Sequence, residues 1–135
     1  MTGQKFATAT LVGAVTLFVG GFLIYGLALN SYMTANMTVT MKDPPDWLTL
    51  GLGQIAGGAL LTLVIGKWAK ASGVGAGLAI GAQLGLLMLL GFDLTMYATS
   101  SVMRNMTVMA VDVLAATVLW AIGGAAVGAM LGRRS

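Results

Sequence analysis

Residues 74–92, with the sequence VGAGLAIGAQLGLLMLLGF, decide the fold of this chain. The stretch contains no charged side chain, and Gln83 is its only strongly polar residue. Nineteen residues at about 1.5 Å each extend over roughly 28 Å as an α-helix, which is close to the thickness of the hydrocarbon core of a bilayer. The sequence therefore predicts a transmembrane helix here.

Three further apolar runs have similar length. They cover residues 6–29, 47–66 and 106–131, although the last run could also begin at Val113, directly after Asp112. Each is long enough to cross a bilayer as a helix. We expect one all-α transmembrane domain over residues 1–135, folded as a four-helix bundle.

The composition supports the same interpretation and excludes several functions. Hydrophobic residues make up 58% of the chain, only 8% is charged, and the mean hydropathy is +0.92. This is too little charge for the surface of a soluble enzyme or a nucleic-acid-binding protein. Because the chain has no Cys and no His, disulfides, the usual zinc sites and imidazole catalysis are excluded. We expect no enzymatic activity, no cofactor and no nucleic-acid partner.

The basic residues predict the orientation in the membrane. Lys42 and Arg104 fall in the two connections on one side. The other basic residues fall on the opposite side, and they are Lys5, Lys67, Lys70, Arg133 and Arg134. Because basic residues accumulate on the cytoplasmic side, both termini are expected in the cytoplasm of a multi-pass cell-membrane protein.

The chain also matches itself at an offset of about 66 to 70 residues. The motif NMTV occurs at residues 36–39 and 105–108, and GGA occurs at 57–59 and 123–125. Residues 1–69 and 70–135 are therefore predicted to be two similar helical hairpins. Because the first and third spans run in the same direction, the hairpins would be parallel repeats.

Glycines recur at every fourth position in three of the spans. A stripe of small residues lets two helix backbones approach closely in lipid, where the hydrophobic effect does not drive helices together. The pattern predicts tight helix packing, either within the chain or between copies in a homo-oligomer. The predicted packing residues are Gly53, Gly57, Gly73, Gly77, Gly81, Gly85, Gly124, Gly128 and Gly132.

Two acids, Asp93 and Asp112, lie within or beside the last two spans. An ionisable group at membrane depth suggests a proton or cation site. A structural role is the alternative, either as an ion pair with Arg104 or with Asp112 near the start of a helix. Gln54 and Gln83 lie near the membrane middle, where they could form a hydrogen bond between helices or a polar pathway with the two acids.

Methionine is unusually frequent, with ten residues, and most are expected near the outer side. Met33, Met37 and Met41 are four residues apart, so a helical extension of the first span would align their thioethers. Soft sulfur ligands favour Cu(I) or Ag(I). A flexible apolar lid or a docking surface for a partner helix is the alternative.

The order of these features resembles uncharacterised four-span bacterial inner-membrane proteins. The resemblance covers Gly21 and Tyr25 near the end of the first span, the Gly-rich third span that ends in GFDLTMY, and Asp112 at the fourth span. It implies an inner-membrane location and a helical bundle, and it implies no activity.

Two functions follow as hypotheses. The first is an accessory or scaffolding subunit that packs through its glycine faces and binds a membrane-protein partner with its Met-rich outer segments. The second is a small transporter or channel with a polar pathway at Asp93, Asp112, Gln54 and Gln83. A water-containing cavity that joins these four residues would favour transport, and a dry core would favour docking.

Overall fold

All four apolar runs form long helices in the computed structural model, which describes residues 1–38, 42 and 44–133. Span 1 consists of α1 (Gly3–Gly21) and a π-helical segment, π1 (Phe22–Ala28), and a short helix, α2 (Asn30–Asn36), follows it. Span 2 consists of α3 (Trp47–Thr62) and π2 (Leu63–Trp68). Spans 3 and 4 are α4 (Val74–Thr99) and α5 (Met106–Leu131). The predicted all-α four-helix bundle is confirmed.

The last two spans extend beyond their apolar runs toward the acids. Helix α4 continues past Phe92 to Thr99, so Asp93 lies inside the helix and not after it. Helix α5 begins at Met106, the earlier of the two expected starts, because the side chain of Asn105 caps it by accepting a hydrogen bond from the N–H of Val108 at 3.1 Å. Asp112 is consequently an interior residue of α5.

Helix α5 is central to the bundle. It packs along α4 on one side and against α1 on another, while α1 also packs along α3. Helix α4 meets span 2 chiefly through π2 and does not pack along α3. Spans 2 and 3 therefore adjoin at one end of the bundle and separate away from it.

Glycine lies on glycine where each hairpin crosses. A Cβ atom on Gly81 would lie 3.0 Å from the Cα of Gly124, and one on Gly13 would lie 3.1 Å from the Cα of Gly58. Such distances leave no space for a side chain. The repeat predicts that Gly13 is equivalent to Gly81 and Gly58 to Gly124, and the repeat itself stays a prediction.

The other predicted packing glycines differ in their surroundings. Three face the backbone of the opposite helix or Trp120 across the contact between α4 and α5, and they are Gly77, Gly85 and Gly128. Gly57 of α3 approaches Leu17 and the ring of Trp120. These positions bring the helices into close contact within one chain.

The remaining three predicted packing glycines, Gly53, Gly73 and Gly132, do not lie in the middle of a contact between two helices. Gly53 has no other atom within 4 Å of a built Cβ. Gly73 precedes α4 with a φ of +96°, a left-handed conformation that favours glycine. Gly132 follows α5, and its built Cβ would lie 3.3 Å from the nitrogen of Gly73. The stripe on α4 thus begins with a turn residue.

The two ends of the bundle differ in chemistry. At one end, which we call the basic end, the Lys5 ammonium donates to the carbonyl of Arg133 at 3.5 Å, and the Lys67 ammonium lies 5.8 Å from the centre of the Phe6 ring. The other end, called the loop end, consists of α2 and residues 100–105. A single antiparallel bridge between Met37 and Met103 joins these two connections.

The interior contains two apolar clusters. The larger lies along the spans and consists of Ala9, Leu17, Leu61, Ile65, Leu119, Val127 and Leu131. The smaller, which we call the methionine cluster, lies at the loop end and consists of Met33, Met103, Val108 and Met109. Tyr25 packs against both clusters and marks the level at which they meet.

Candidate functional site

Asp93 is buried in the contact between spans 3 and 4, with only 1% of its surface exposed. Its position follows from the helix period. Asp93 lies eight residues after Gly85, two steps further along the diagonal four-residue row of glycines on the face of α4 that meets α5. Because that face packs against α5, the carboxyl group is carried into the helix interface.

Asp112 meets Asp93 from the opposite helix for the same reason. It lies twelve residues before Gly124, on the diagonal row of four-residue steps through Trp120 and Ala116, and these two residues lie against Gly81 and Gly85 of α4. These two rows bring the side chains of Asp93 and Asp112 close to each other in the helix contact. Two helices with few charged residues thus bring two carboxyl groups together at one level.

Tyr25 completes the site from span 1. Its hydroxyl group donates a hydrogen bond to the backbone carbonyl of Asp112 at 3.1 Å. Tyr25 belongs to π1, where the N–H of Leu29 bonds to the carbonyl of Ile24, five residues back. Such π-helical turns are rare and occur frequently at functional sites.

One oxygen atom of the site has no partner. The Oδ2 atom of Asp93 is buried and accepts no hydrogen bond from any of the described residues. A buried polar atom without a partner costs about 1–3 kcal/mol, and more if it is charged. An unsatisfied carboxylate oxygen beside a second carboxyl group is suited to holding a proton or a small cation.

The methionine cluster closes the site toward the loop end. The N–H of Thr38 bonds to the carbonyl of Val102 at 2.9 Å, and the N–H of Arg104 bonds to the carbonyl of Asn36 at 3.0 Å. These two bonds fix α2 to the connection between spans 3 and 4. The buried thioethers of Met33, Met103 and Met109 therefore lie between the level of Tyr25 and the exposed surface.

Neither structural role expected for the acids is present in the described part of the chain. Arg104 is exposed and forms no salt bridge there with Asp93 or Asp112. The start of α5 is capped by Asn105, which leaves Asp112 with no capping role. The pair is held by Tyr25 and by helix packing.

The two glutamines are not brought to the acids. Gln83 is exposed, and its side-chain amide donates to the carbonyl of Ala79 in its own helix at 3.2 Å. Gln54 is half-buried on α3, and no hydrogen bond within residues 1–38, 42 and 44–133 joins it to Gln83. The predicted set of four polar residues is thus divided, because α3 does not pack along α4.

The expected row of three methionines on one helix is replaced by a tertiary cluster. Helix α2 ends at Asn36, and Met37 is extended, with φ −124° and ψ 147°. Met33 packs instead with Met103 and Met109, and Met37 packs against them. Met41 lies outside the described residues.

Comparisons of this chain with protein-family models, with curated proteins and with solved structures found no match. The function is therefore inferred from the arrangement of the residues.

Proposed function

We propose that this protein is a small transporter or channel of the membrane that conducts protons, or a monovalent cation in their place, through a binding site between Asp93 and Asp112. The observation that carries the proposal is the unpartnered, buried Oδ2 atom of Asp93 beside the Asp112 carboxyl group. Ionisable groups in the membrane interior are rare and mark ion pathways, because each one is costly to bury.

The pair is suited to reversible binding. Two neighbouring carboxyl groups repel each other when both are ionised, so a proton or a cation between them removes the repulsion. The Tyr25 hydroxyl group provides a third polar group at the same level. No strong counter-charge among the described residues competes for the site, since Arg104 is exposed.

The site is expected to load from the loop end. Toward the basic end the larger apolar cluster fills the space between the helices, with Leu61, Ile65 and Val127 fully buried. We infer that the basic end faces the cytoplasm, because Lys5, Lys67 and Arg133 lie there together. The ion would then enter from outside the cell once the methionine cluster has opened.

An accessory or scaffolding role receives less support from the arrangement. That role depends on outward-facing methionines, whereas Met33, Met103 and Met109 are each less than 10% exposed. Their thioethers contact one another, and of the outer methionines in the described residues only Met106 is more than half exposed.

The proposal is tested by flux into proteoliposomes that contain a pH-sensitive dye. We expect the wild type to move protons down an imposed gradient, and we expect Asp93→Asn to stop this movement, because the amide cannot take up a proton. Asp46→Asn is the matched control, since Asp46 is an exposed acid at the start of α3. Gln54→Leu and Gln83→Leu should retain flux. Equal flux in wild-type and empty liposomes would overturn the proposal.

Binding can be measured separately from transport. Infrared difference spectra taken as the pH changes should show the carboxyl C=O band of the acid pair in the wild type. This band should disappear in the double variant Asp93→Asn/Asp112→Asn and persist in Asp46→Asn. If the wild type shows no such band, the acid pair does not bind a proton, and the proposed binding site is wrong.

A second candidate function is binding of Cu(I) or Ag(I) by the methionine cluster. The observation that favours it is the meeting of Met33, Met37, Met103 and Met109 from three segments of the chain. Thioethers are soft ligands that select these ions. Titration with Ag(I) should show saturable binding that is lost in Met33→Leu/Met103→Leu and retained in the control Met88→Leu. Equal binding by the two variants would contradict a site at this cluster.

A further inference from the structure

A groove of about 330 Å³ lies on the surface of the bundle between span 2 and α4. It is lined by Val64, Ala69, Ile80, Gln83, Leu84, Leu87 and Met88. Its volume falls in the range of pockets that hold small ligands. The groove is separate from the acid pair, because neither Asp93 nor Asp112 lines it.

The groove exists because span 2 contacts α4 only through π2, while α3, the rest of span 2, diverges from α4. Helix α4 contacts π2 near the basic end but does not pack along α3, so protein covers the face from Ile80 to Met88 only in part. Ile80 and Leu84 are half-buried against the larger apolar cluster, whereas Leu87 and Met88 are exposed. The eight residue steps from Ile80 to Met88 correspond to about 12 Å of helix. The one polar group of the lining, the Gln83 amide, donates to Ala79 within its own helix. The groove therefore offers an elongated apolar surface.

The charge around the groove is one-sided. Ala69, which lines its basic end, lies between Lys67 and Lys70, and Lys5 and Arg133 lie at the same end. Among the described residues, the acids Asp46, Asp93 and Asp112 all belong to the opposite half of the bundle. Trp68 is 68% exposed beside Ala69, at the level where tryptophan meets lipid headgroups.

We propose that this groove is a binding site for an anionic phospholipid. One acyl chain lies along Ile80, Leu84 and Leu87, and the phosphate-bearing headgroup lies beside Ala69, where Lys70 and Lys67 can reach it once the Lys67 ammonium has left the Phe6 ring. Apolar length and positive charge occur together only at the basic end of the groove, and they match the two parts of such a lipid. The proposal does not depend on ion binding at Asp93.

Quenching of tryptophan fluorescence by brominated acyl chains tests the proposal. The chain has three tryptophans, so Trp47→Phe/Trp68→Phe leaves Trp120 as the reporter. Trp120 contacts Gly85, which adjoins the lining residue Leu84, and it also approaches Gly57 of span 2. The reporter protein is placed in phosphatidylcholine vesicles that contain increasing fractions of brominated phosphatidylglycerol or brominated phosphatidylcholine.

We expect the anionic lipid to quench Trp120 with an association constant at least about fivefold higher than that of the zwitterionic lipid. Adding Lys67→Gln/Lys70→Gln to the reporter should bring this ratio close to one, whereas Lys42→Gln at the loop end should leave it unchanged. Leu84→Phe should reduce quenching by both lipids, because the ring narrows the groove.

Two results would overturn the proposal. Equal quenching by both lipids in the reporter protein would show a groove without preference for anionic lipid. Failure of either lipid to quench Trp120 would show that a second copy of the chain, or the protein's own helices, closes the groove in the membrane.

Discussion

The Tyr25 hydroxyl group donates a hydrogen bond to the backbone carbonyl of Asp112 at 3.1 Å, and this bond joins the first span to the last. A helix carbonyl that already accepts a bond from its own helix can accept a second through its other lone pair. The bond therefore forms without breaking a backbone hydrogen bond of α5, and it fixes π1 beside the acid pair. Tyr25 packs at the same time against both apolar clusters, so its ring is held from two sides.

Loss of the Tyr25 hydroxyl group should weaken the contact between spans 1 and 4. We expect Tyr25→Phe to lower the free energy of unfolding in detergent by about 1 kcal/mol, because the ring is kept and one hydrogen bond between helices is lost. Tyr97→Phe is the control, since Tyr97 is 39% exposed on α4. If the two variants are equally stable, the bond contributes nothing.

A side chain at Gly81 should push α4 and α5 apart. A methyl group there would meet the backbone of Trp120 and Gly124, which cannot move aside as a flexible side chain would. We expect Gly81→Ala to lower the free energy of unfolding by about 1–3 kcal/mol and Gly81→Leu to prevent folding to a monodisperse product in detergent.

Gly91→Ala is the matched control for the glycine contact. Gly91 is on the same helix and has open space at its Cβ position. Its replacement should leave stability unchanged or raise it by up to about 1 kcal/mol, because alanine is the better helix former. Similar losses in Gly81→Ala and Gly91→Ala would contradict the packing of α4 on α5.

The bridge between Met37 and Met103 should be replaceable by a disulfide. The hydrogen bonds of this bridge run between the flanking residues, so Met37 and Met103 form a non-hydrogen-bonded pair. Such pairs have Cα atoms about 4.5 Å apart, which a disulfide can span. The chain has no cysteine of its own, so Met37→Cys/Met103→Cys should oxidise to a single intramolecular bond.

Mass spectrometry and thiol labelling report this bond directly. Thr34→Cys/Met103→Cys is the control pair, because Thr34 is exposed on α2 and belongs to no bridge. If the proposed opening of the methionine cluster is needed for loading, the oxidised bridge should also slow proton flux, and reduction should restore it. Equal oxidation of the two pairs would argue against the bridge.

Asp46 should give the protein a measurable dependence on acid pH. The hydroxyl and backbone N–H groups of Thr49 bond to its carboxylate at 2.8 and 3.2 Å, and they hold the pKa of Asp46 below its usual value of 3.8. Because the folded-state pKa is the lower one, this stabilisation is complete above pH 3.8 and is lost as the pH falls through the folded-state pKa.

Unfolding measured between about pH 6 and pH 2 checks this dependence. Asp46→Ser keeps a side-chain cap without a titrating group, so it should remove that part of the pH dependence while α3 stays capped. An unchanged pH profile in Asp46→Ser would show that Asp46 does not stabilise the folded protein through its charge.

Much of the fold could be predicted because each span is decided locally. The run at residues 74–92 is too apolar and too long to be anything but a buried or membrane-crossing helix, and the helix continues over it as expected. The ends were harder to predict. The predicted end of the third span at Phe92 leaves Asp93 just outside it, whereas α4 continues past Asp93 to Thr99. Of the two predicted starts of the fourth span, the structure has the earlier one, so Asp112 lies inside α5.

The spacing of residues in the sequence already indicated the acid pair. Asp93 continues the four-residue step of Gly77, Gly81 and Gly85, and Asp112 continues that of Gly124 on the other helix. Following both stripes would have placed the two carboxyl groups in one contact. The role of Tyr25 in the site could not be predicted from residue spacing, because it depends on the π-helical turn that carries the ring toward α5.

The sequence by itself determined four membrane-length helices, the concentration of basic residues on one side, and the small-residue faces, because each of these depends only on composition, on the order of the spans and on the period of the helix. The tertiary structure decided which faces meet. The contact of α4 with α5 joined Asp93 to Asp112, the divergence of α3 from α4 separated Gln54 from Gln83, and the pairing of the two loop-end segments collected methionines that lie seventy residues apart. Contacts between residues far apart in sequence depend on how whole helices pack, and no local pattern records that.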